Sequence, residues 1–193
     1  MSREMLTDEG LLHQYLNGEK RAIDTLLEKY QDRVYTSIYL KVKCRALAQD
    51  LMQETFIKVI KTIDSGKYRE DGRFYQWMMR ISYNLCIDHF RRVKRRPKKI
   101  RDDRGTVMER QKDSCRNHEE HWILDEKCQQ IKMLVEALPP EQKEVVILRH
   151  YSELSFKEIA KLTNVSINTA LGRMRYALNN LRKMIEERKM VMH

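Results

Sequence analysis

The stretch LTNVSINTALGRMRY, residues 162–176, contains a helix stop, a helix start and two arginines. Asn164 stands where the chain must reverse direction, and asparagine tolerates a left-handed backbone better than most residues. Ser166 follows as the N-cap of a new helix. Upstream, Ser155 and Glu158 have the spacing of a capping box. The sequence therefore predicts a short helix, a tight turn and a second helix.

The second of these helices is predicted to have an inner and an outer face. The inner, apolar face comprises Ile167, Ala170, Leu171, Met174, Ala177, Leu178 and Leu181. The outer face comprises Asn168, Thr169, Gly172, Tyr176 and Asn179, flanked by Arg173 and Arg175. This layout is typical of a helix-turn-helix, whose outer face enters the major groove while arginines reach phosphates. The alternative is a helical hairpin with a solvated outer face.

The charge balance indicates a polyanionic partner, either nucleic acid or an acidic membrane surface. The chain has 38 Lys and Arg against 28 Asp and Glu, a net charge of +10. Its longest plain apolar run, residues 145–148, is far shorter than the roughly 20 residues that span a bilayer. The first residues lack the apolar core of a signal peptide. We therefore expect a cytoplasmic protein without membrane insertion.

The fold class follows from the spacing of the apolar residues. They recur at spacings of three and four residues rather than two. The 193 residues include only six glycines and three prolines, which leaves little material for turns. We predict an all-α fold of two small helical domains, residues 1–97 and 119–193. Residues 98–118 are polar without a sustained period and are predicted to form a flexible linker. The predicted helix boundaries are Leu11 to Tyr30 with a break at Asn17-Gly18, Arg33 to Val42, Ala46 to Ile63, Arg73 to before Pro97, Glu119 to Ala137 and Gln142 to His150.

The long helix that begins near Arg73 has two notable faces. One is apolar and predicted to be core: Phe74, Trp77, Met78, Ile81 and Leu85. The other comprises Tyr75, Gln76, Met79, Tyr83 and Cys86, beside Arg69, Arg73, Arg80, Arg91 and Arg92. Aromatic rings interleaved with cations suit the stacking of unpaired bases. The alternative is that this second stripe packs on the first helices.

Two polar clusters lie elsewhere. Asp50, Gln53 and Glu54 share one stripe of a predicted helix, which is either a solvated surface or a docking point for a basic partner. The set Cys115, His118, His121 and Cys128 could ligate zinc. Its histidines are three residues apart rather than the four of HExxH, and such residues in a linker are more often incidental. No nucleophile has an adjacent base, so we predict no enzyme activity, metal or cofactor.

Three segments resemble bacterial RNA polymerase sigma factors of the sigma-70 family, extracytoplasmic-function (ECF) group. Residues 48–60, AQDLMQETFIKVI, resemble region 2.2, which binds the β′ clamp helices. Residues 72–92, GRFYQWMMRISYNLCIDHFRR, resemble regions 2.3 and 2.4, which melt and read the −10 element. Residues 138–183, from LPPEQ to NNLRK, resemble region 4, which meets the β flap and reads the −35 element.

The resemblance implies binding to core RNA polymerase and promoter-specific transcription initiation, with an anti-sigma factor as a further candidate partner. The implied polymerase contacts are Asp50, Gln53 and Glu54. The implied −10 DNA contacts are Tyr68, Arg69, Arg73, Tyr75, Arg80, Tyr83, Asn84, Arg91 and Arg92. The implied −35 DNA contacts are Ser166, Asn168, Thr169, Gly172, Arg173, Arg175 and Tyr176.

The sequence departs from the family at several positions of the helix-turn-helix. The family often has a basic residue where this chain has Leu171, a serine at the position of Gly172, and arginine or a similar residue at the position of Tyr176. The turn glycine is replaced by Asn164. The alternative function is a helix-turn-helix transcriptional regulator that does not bind core polymerase. Such a regulator needs an N-terminal sensory domain, whereas the first hundred residues read as helical and basic.

Overall fold

The computed structural model describes residues 7–95 and 133–187, and these residues form helices without a strand. The predicted all-α fold is therefore confirmed for this part of the chain. Residues 133–136 are also helical, and the predicted linker lies outside the described residues. The seven helices with described bounds are α1 (Asp8–Leu16), α2 (Arg21–Val42), α3 (Arg45–Asp64), α4 (Phe74–Arg95), α5 (Pro140–His150), α6 (Phe156–Thr163) and α7 (Ile167–Glu187).

The breaks between the first helices follow from local residue chemistry. Thr7 begins α1, because its Oγ1 accepts a hydrogen bond of 3.1 Å from the Gly10 N–H. The predicted break at Asn17-Gly18 is confirmed, and Gly18 takes a φ of 102° that favours glycine. Lys43 ends α2 in a left-handed conformation, with a φ of 57°. The turns that join α1 to α2 and α2 to α3 are short, and each of these neighbouring helix pairs packs together.

The chain divides into two compact units, Met1–Arg116 and Asn117–His193. In the first unit α2 packs against α1, α3 and α4, and α3 also packs against α4. Its core is apolar and continuous, and its most deeply buried side chains are Leu26, Val34, Ile38, Val59, Phe74, Met78, Met79 and Leu85. This core fixes which faces of α3 and α4 remain outside.

The second unit is built from α5, α6 and α7, which all contact one another. Its buried side chains include Leu134, Val145, Leu154 and Ile159, each with at most 2% of its surface exposed. Pro140 is in the first turn of α5, where its missing N–H costs nothing. Among the residues described in both units, no helix has the length and apolar character that a membrane crossing requires.

Candidate nucleic-acid interface

The turn between α6 and α7 has the predicted geometry. Asn164 is left-handed, with φ 57° and ψ 46°, and its N–H donates to the Ala160 carbonyl. The Ser166 Oγ then accepts a hydrogen bond of 3.0 Å from the Thr169 N–H, which caps the start of α7. The chain therefore ends one helix and begins the next within three residues, and the predicted helix-turn-helix is confirmed.

The start of α6 is fixed by a reciprocal capping box. The Ser155 N–H donates to Glu158 Oε2 at 2.9 Å, and the Glu158 N–H donates to Ser155 Oγ at 3.3 Å. Arg149 at the end of α5 donates from Nη1 to the Leu154 carbonyl at 3.0 Å. These bonds satisfy backbone groups that helix ends leave without partners, so they hold α6 at a defined angle to α5.

The buried side of α7 is a narrow strip centred on two alanines. Ala170 and Ala177 are fully buried, and their small side chains let α7 approach its neighbours closely. The Asn180 Nδ2 donates to Gln142 Oε1 at 2.9 Å and ties α7 to α5. Three longer side chains of α7 complete the contact from half-buried positions: Met174, Leu181 and Met184.

The predicted inner face of α7 is wrong for three residues. Ile167, Leu171 and Leu178 are 45%, 44% and 43% exposed. The apolar stripe of the sequence is wider than the strip of α7 that α5 and α6 cover. The three side chains lie beyond one edge of that strip, and they form an exposed apolar ridge on α7.

The predicted outer face of α7 is available to a ligand. Tyr176 is 64% exposed, and a Cβ atom built on Gly172 would meet nothing within 4 Å. Of the other candidate −35 residues, Arg173 is half-buried. The remaining ones are exposed: Ser166, Asn168, Thr169 and Arg175. The structure therefore brings all the −35 candidates together on the open side of one helix.

The structure contradicts the predicted base-stacking stripe of α4. Tyr75 and Tyr83 are only 3% and 8% exposed, and Met79 and Cys86 are buried beside them. The Tyr75 ring stacks on Tyr30 of α2, with 4.7 Å between ring centroids. The stripe packs on the first helices, as the alternative had it, because α2 needs an apolar partner along its length. Neither tyrosine ring is available to an unpaired base.

Two cations of α2 cover the edge of this buried stripe. The Arg33 Cζ lies 4.4 Å from the Tyr75 ring centroid, and the Lys41 Nζ lies 4.1 Å from the Tyr83 centroid. Neither cation was predicted from the sequence to contact an aromatic ring. The signal was present: Arg33 and Lys41 are eight residues apart on α2, as Tyr75 and Tyr83 are on α4, so the two cations follow one side of their helix at the spacing of the two rings. Both rings are thus closed off by positive charge.

Two partly exposed aromatic rings lie at the start of α4. Tyr68 and Trp77 are half-buried, with 4.3 Å between their ring centroids. The Tyr68 hydroxyl donates to Glu70 Oε2 at 2.8 Å, and the Gly72 N–H donates to Glu70 Oε1 at 2.6 Å. Burial, and then the bond to Glu70, raise the pKa of Tyr68 well above its usual value. The loop is therefore folded around one carboxylate.

The basic candidates of the −10 set surround these rings and continue along α4. Arg69, Arg73 and Asn84 are exposed, while Arg80 is half-buried. At the far end of α4, Arg91 lies 3.7 Å from Asp88, and Arg92 is exposed. The structure thus leaves an open basic surface on α4, with its aromatic part at Tyr68 and Trp77 rather than at the predicted tyrosines.

The polar stripe of α3 lies opposite the core. Asp50 and Gln53 are exposed and Glu54 is half-buried, while Leu51 and Val59 hold the other side of the helix inside. Ile57, which is 51% exposed, lies one turn further along the same face. The stripe combines negative charge with an exposed apolar side chain.

The zinc candidates Cys115, His118, His121 and Cys128 lie outside the described residues. Within residues 7–95 and 133–187, no group of three or more His, Cys, Asp or Glu side chains is placed to hold a metal ion. Cys86 is a free thiol, and burial raises its pKa to about 11.

These features define a two-unit, all-helical DNA-binding protein with a helix-turn-helix. Residues 26–96 match the family model described as Sigma-70 region 2, and residues 128–181 match that of Sigma-70, region 4. The chain belongs to the sigma-70 family of sigma factors, in its ECF group.

Relatives of known name agree with this assignment. The chain is 28% identical to the RNA polymerase sigma-H factor of Pseudomonas aeruginosa over 171 residues, covering 86% of this chain and 88% of that protein. It is 28% identical to the ECF RNA polymerase sigma-E factor of Escherichia coli K12 over 184 residues, covering 92% and 95%. The sigma-factor interpretation is therefore favoured over the regulator alternative.

Two solved structures share the fold. CnrH, in complex with the cytosolic domain of CnrY, superposes with a TM-score of 0.59 at 19% identity, covering 93% of this chain and 97% of that one. The sigma factor RpoE of Bartonella quintana, in complex with the anti-sigma factor NepR, also gives 0.59 at 20% identity, covering 84% and 96%.

Proposed function

We propose that this sigma factor binds core RNA polymerase through α3, reads the −10 element with α4 and the loop before it, and reads the −35 element with α7. The first unit then serves polymerase docking and promoter melting, and the second serves −35 recognition. The observation that carries the proposal is the open face of α7 behind a correctly formed helix-turn-helix.

The α3 stripe is suited to a protein partner rather than to DNA. Asp50 and Glu54 would repel phosphates, whereas the chain as a whole carries +10. An acidic spot on a basic protein selects a basic partner and orients it. Asp50, Gln53 and Glu54 are therefore assigned to core polymerase.

The surface near the start of α4 is suited to single-stranded DNA. Arg69, Arg73 and Arg80 provide charge for the backbone, and the half-buried Tyr68 and Trp77 provide rings beside them. Extrusion of a base costs a few kcal/mol, which stacking and a shaped loop offset. Asn84, Arg91 and Arg92 extend this surface along α4 and are assigned to the −10 region.

The open face of α7 is suited to duplex DNA. The N-terminal residues of a recognition helix contact base edges, and flanking arginines contact phosphates. Asn168, Thr169, Gly172 and Tyr176 are assigned to the groove, with Ser166 at the helix start. Arg173 and Arg175 are assigned to the backbone.

In this proposal the chain is a non-catalytic subunit that acts in the cytoplasm, where the chromosome lies. The polymerase performs the nucleotidyl transfer. An anti-sigma factor is a candidate regulator, since the Bartonella quintana relative is held by one.

The proposal is tested by adding the purified chain to core RNA polymerase and transcribing a library of genomic DNA. We expect new transcripts whose upstream sequences share two elements at a fixed spacing, and we expect another sigma factor to compete for the core enzyme. Core polymerase alone is the control. DNA binding by the chain without any new transcription start would instead support the regulator alternative.

A further inference from the structure

The exposed apolar ridge of α7 is unexplained by the fold. Leu171 is 44% exposed while Ala170 beside it is fully buried, so the leucine contributes little to the core. Gly172 follows, and the space where its Cβ would stand is empty for 4 Å. The glycine is therefore not required by packing, and it leaves the helix surface without a side chain on the face that adjoins the leucine, about 100° around the axis.

The charge around this ridge favours DNA as the partner that covers it. From Ile167 to Ile185 the helix carries Arg173, Arg175, Arg182 and Lys183 and no acidic residue. A run of cations on an exposed helix complements phosphates. Leu171 lies in the second turn of α7, within the N-terminal part of a recognition helix that reaches base edges.

We infer that Leu171, supported by Ile167 one turn earlier, reads thymine by apolar contact with its C5-methyl group. This inference rests on the proposed function and names the base that the −35 site requires. A leucine can neither donate nor accept a hydrogen bond, so it cannot satisfy the polar edges of guanine, adenine or cytosine. Thymine presents a methyl group in the major groove, and apolar side chains contact it there.

The same contact rejects other bases. Placing Leu171 against a guanine or cytosine edge would remove water from polar groups without replacing their hydrogen bonds, which is unfavourable. The missing side chain at Gly172 leaves room for DNA on the face that adjoins the leucine. The chemistry therefore predicts at least one obligatory thymine in the −35 element.

The test replaces thymine by uracil, which removes only the C5-methyl group. The polymerase holoenzyme containing this chain first selects promoters from a random duplex library. Each thymine of the selected −35 element is then replaced singly by uracil, and the affinity of the holoenzyme is measured for the wild type, Leu171→Ala and Leu178→Ala. Leu178 is the matched control, because it is equally exposed but about 10 Å further along the helix axis.

For the wild type we expect uracil at one thymine to weaken binding about fourfold, the ratio that burial of one methyl-sized group provides. Leu171→Ala should bind thymine and uracil duplexes equally, whereas Leu178→Ala should keep the fourfold ratio. Because both leucines are exposed, neither variant should unfold, and circular dichroism checks this.

The inference is overturned if no thymine is sensitive to uracil, or if Leu171→Ala retains the wild-type ratio. A loss of core-polymerase binding or a changed oligomeric state in Leu171→Ala, with the ratio unchanged, would show that a protein covers the ridge and would also overturn it. Failure of the holoenzyme to select any sequence would overturn the proposed function itself, and this inference with it.

Discussion

The Lys41 Nζ lies 4.1 Å from the centroid of the Tyr83 ring, so a cation of α2 covers an aromatic side chain of α4. The ring is buried, and the ammonium group is attracted to its negative face. Arg33 and Tyr75 repeat this arrangement eight residues earlier in both helices. Residues that the sequence suggested for base stacking therefore join α2 to α4.

Replacement of Tyr83 should lower folding stability rather than remove a direct contact with DNA. We expect Tyr83→Ala to lower the free energy of unfolding by about 3 kcal/mol, as large-to-small core substitutions do. A double-mutant cycle with Lys41→Met and Tyr83→Leu should give a coupling of about 0.5–1 kcal/mol. Urea unfolding measures both values. If Tyr83→Ala were fully stable but impaired in promoter melting, the result would instead indicate that the Tyr83 ring contacts DNA.

Reversal of one charge on α3 should impair polymerase docking. We expect Glu54→Lys to weaken binding to core polymerase about tenfold or more, because like charges would meet across the interface. Surface plasmon resonance with immobilised core enzyme measures the affinity. Glu28→Lys is the control, since it makes the same charge change at an exposed position of α2. Equal effects of the two variants would mean that the polymerase responds to net charge and not to the α3 stripe.

The assignment of Arg175 to a phosphate predicts a change in salt dependence. For Arg175→Ala, the negative slope of log affinity for promoter DNA against log salt concentration should become shallower by about 0.9, the value of one phosphate contact. Holoenzyme binding measured by fluorescence anisotropy at several salt concentrations gives the slope. Lys20→Ala removes an exposed cation of the other unit and should leave the slope unchanged. An unaltered slope in Arg175→Ala would place this arginine away from the backbone.

Substitution of Gly172 should change the folding stability and the affinity for DNA in opposite directions. Because an added Cβ has open space, Gly172→Ala should raise the free energy of unfolding by about 0.5–1 kcal/mol. The same methyl group should weaken binding to the −35 duplex if the helix enters the groove there. The two measurements on one variant control each other, since a more stable protein with weaker binding cannot be a folding defect. Unchanged affinity would mean that DNA does not approach this position.

The bond between α1 and the end of α3 should make stability sensitive to high pH. The Tyr15 hydroxyl donates to Asp64 Oδ1 at 2.6 Å, and this bond, with burial, raises the pKa of Tyr15 to about 12. A raised pKa means that the folded state favours the protonated hydroxyl. This bond therefore contributes fully to folding stability below pH 10, the ordinary pKa of tyrosine. The contribution is lost as the pH rises from 10 to 12.

We expect Tyr15→Phe to be less stable than the wild type at pH 8 by about 1 kcal/mol and to converge with it near pH 12. Chemical unfolding across this pH range measures the difference. Tyr176→Phe, at a 64% exposed site, is the control and should track the wild type throughout. A constant difference between Tyr15→Phe and the wild type would exclude titration of this hydroxyl as the cause.

Local chemistry was readable from the sequence. The capping box at Ser155, the left-handed turn at Asn164 and the cap at Ser166 depend on residues within a few positions of each other, so their spacing predicts them. Helix α3 was placed within one residue at either end, because its limits too are set locally. The family resemblance rests on this same kind of short-range pattern.

Which face of each helix is covered depended on the partner helices. Tyr75 and Tyr83 are buried because α2 runs alongside α4. Leu171 is exposed because α5 and α6 cover only a narrow strip of α7, centred on Ala170 and Ala177. An apolar period gives the direction of a helix face but not the width of the contact that covers it. That width is set by the size and distance of side chains far away in the chain, which only the tertiary structure brings together.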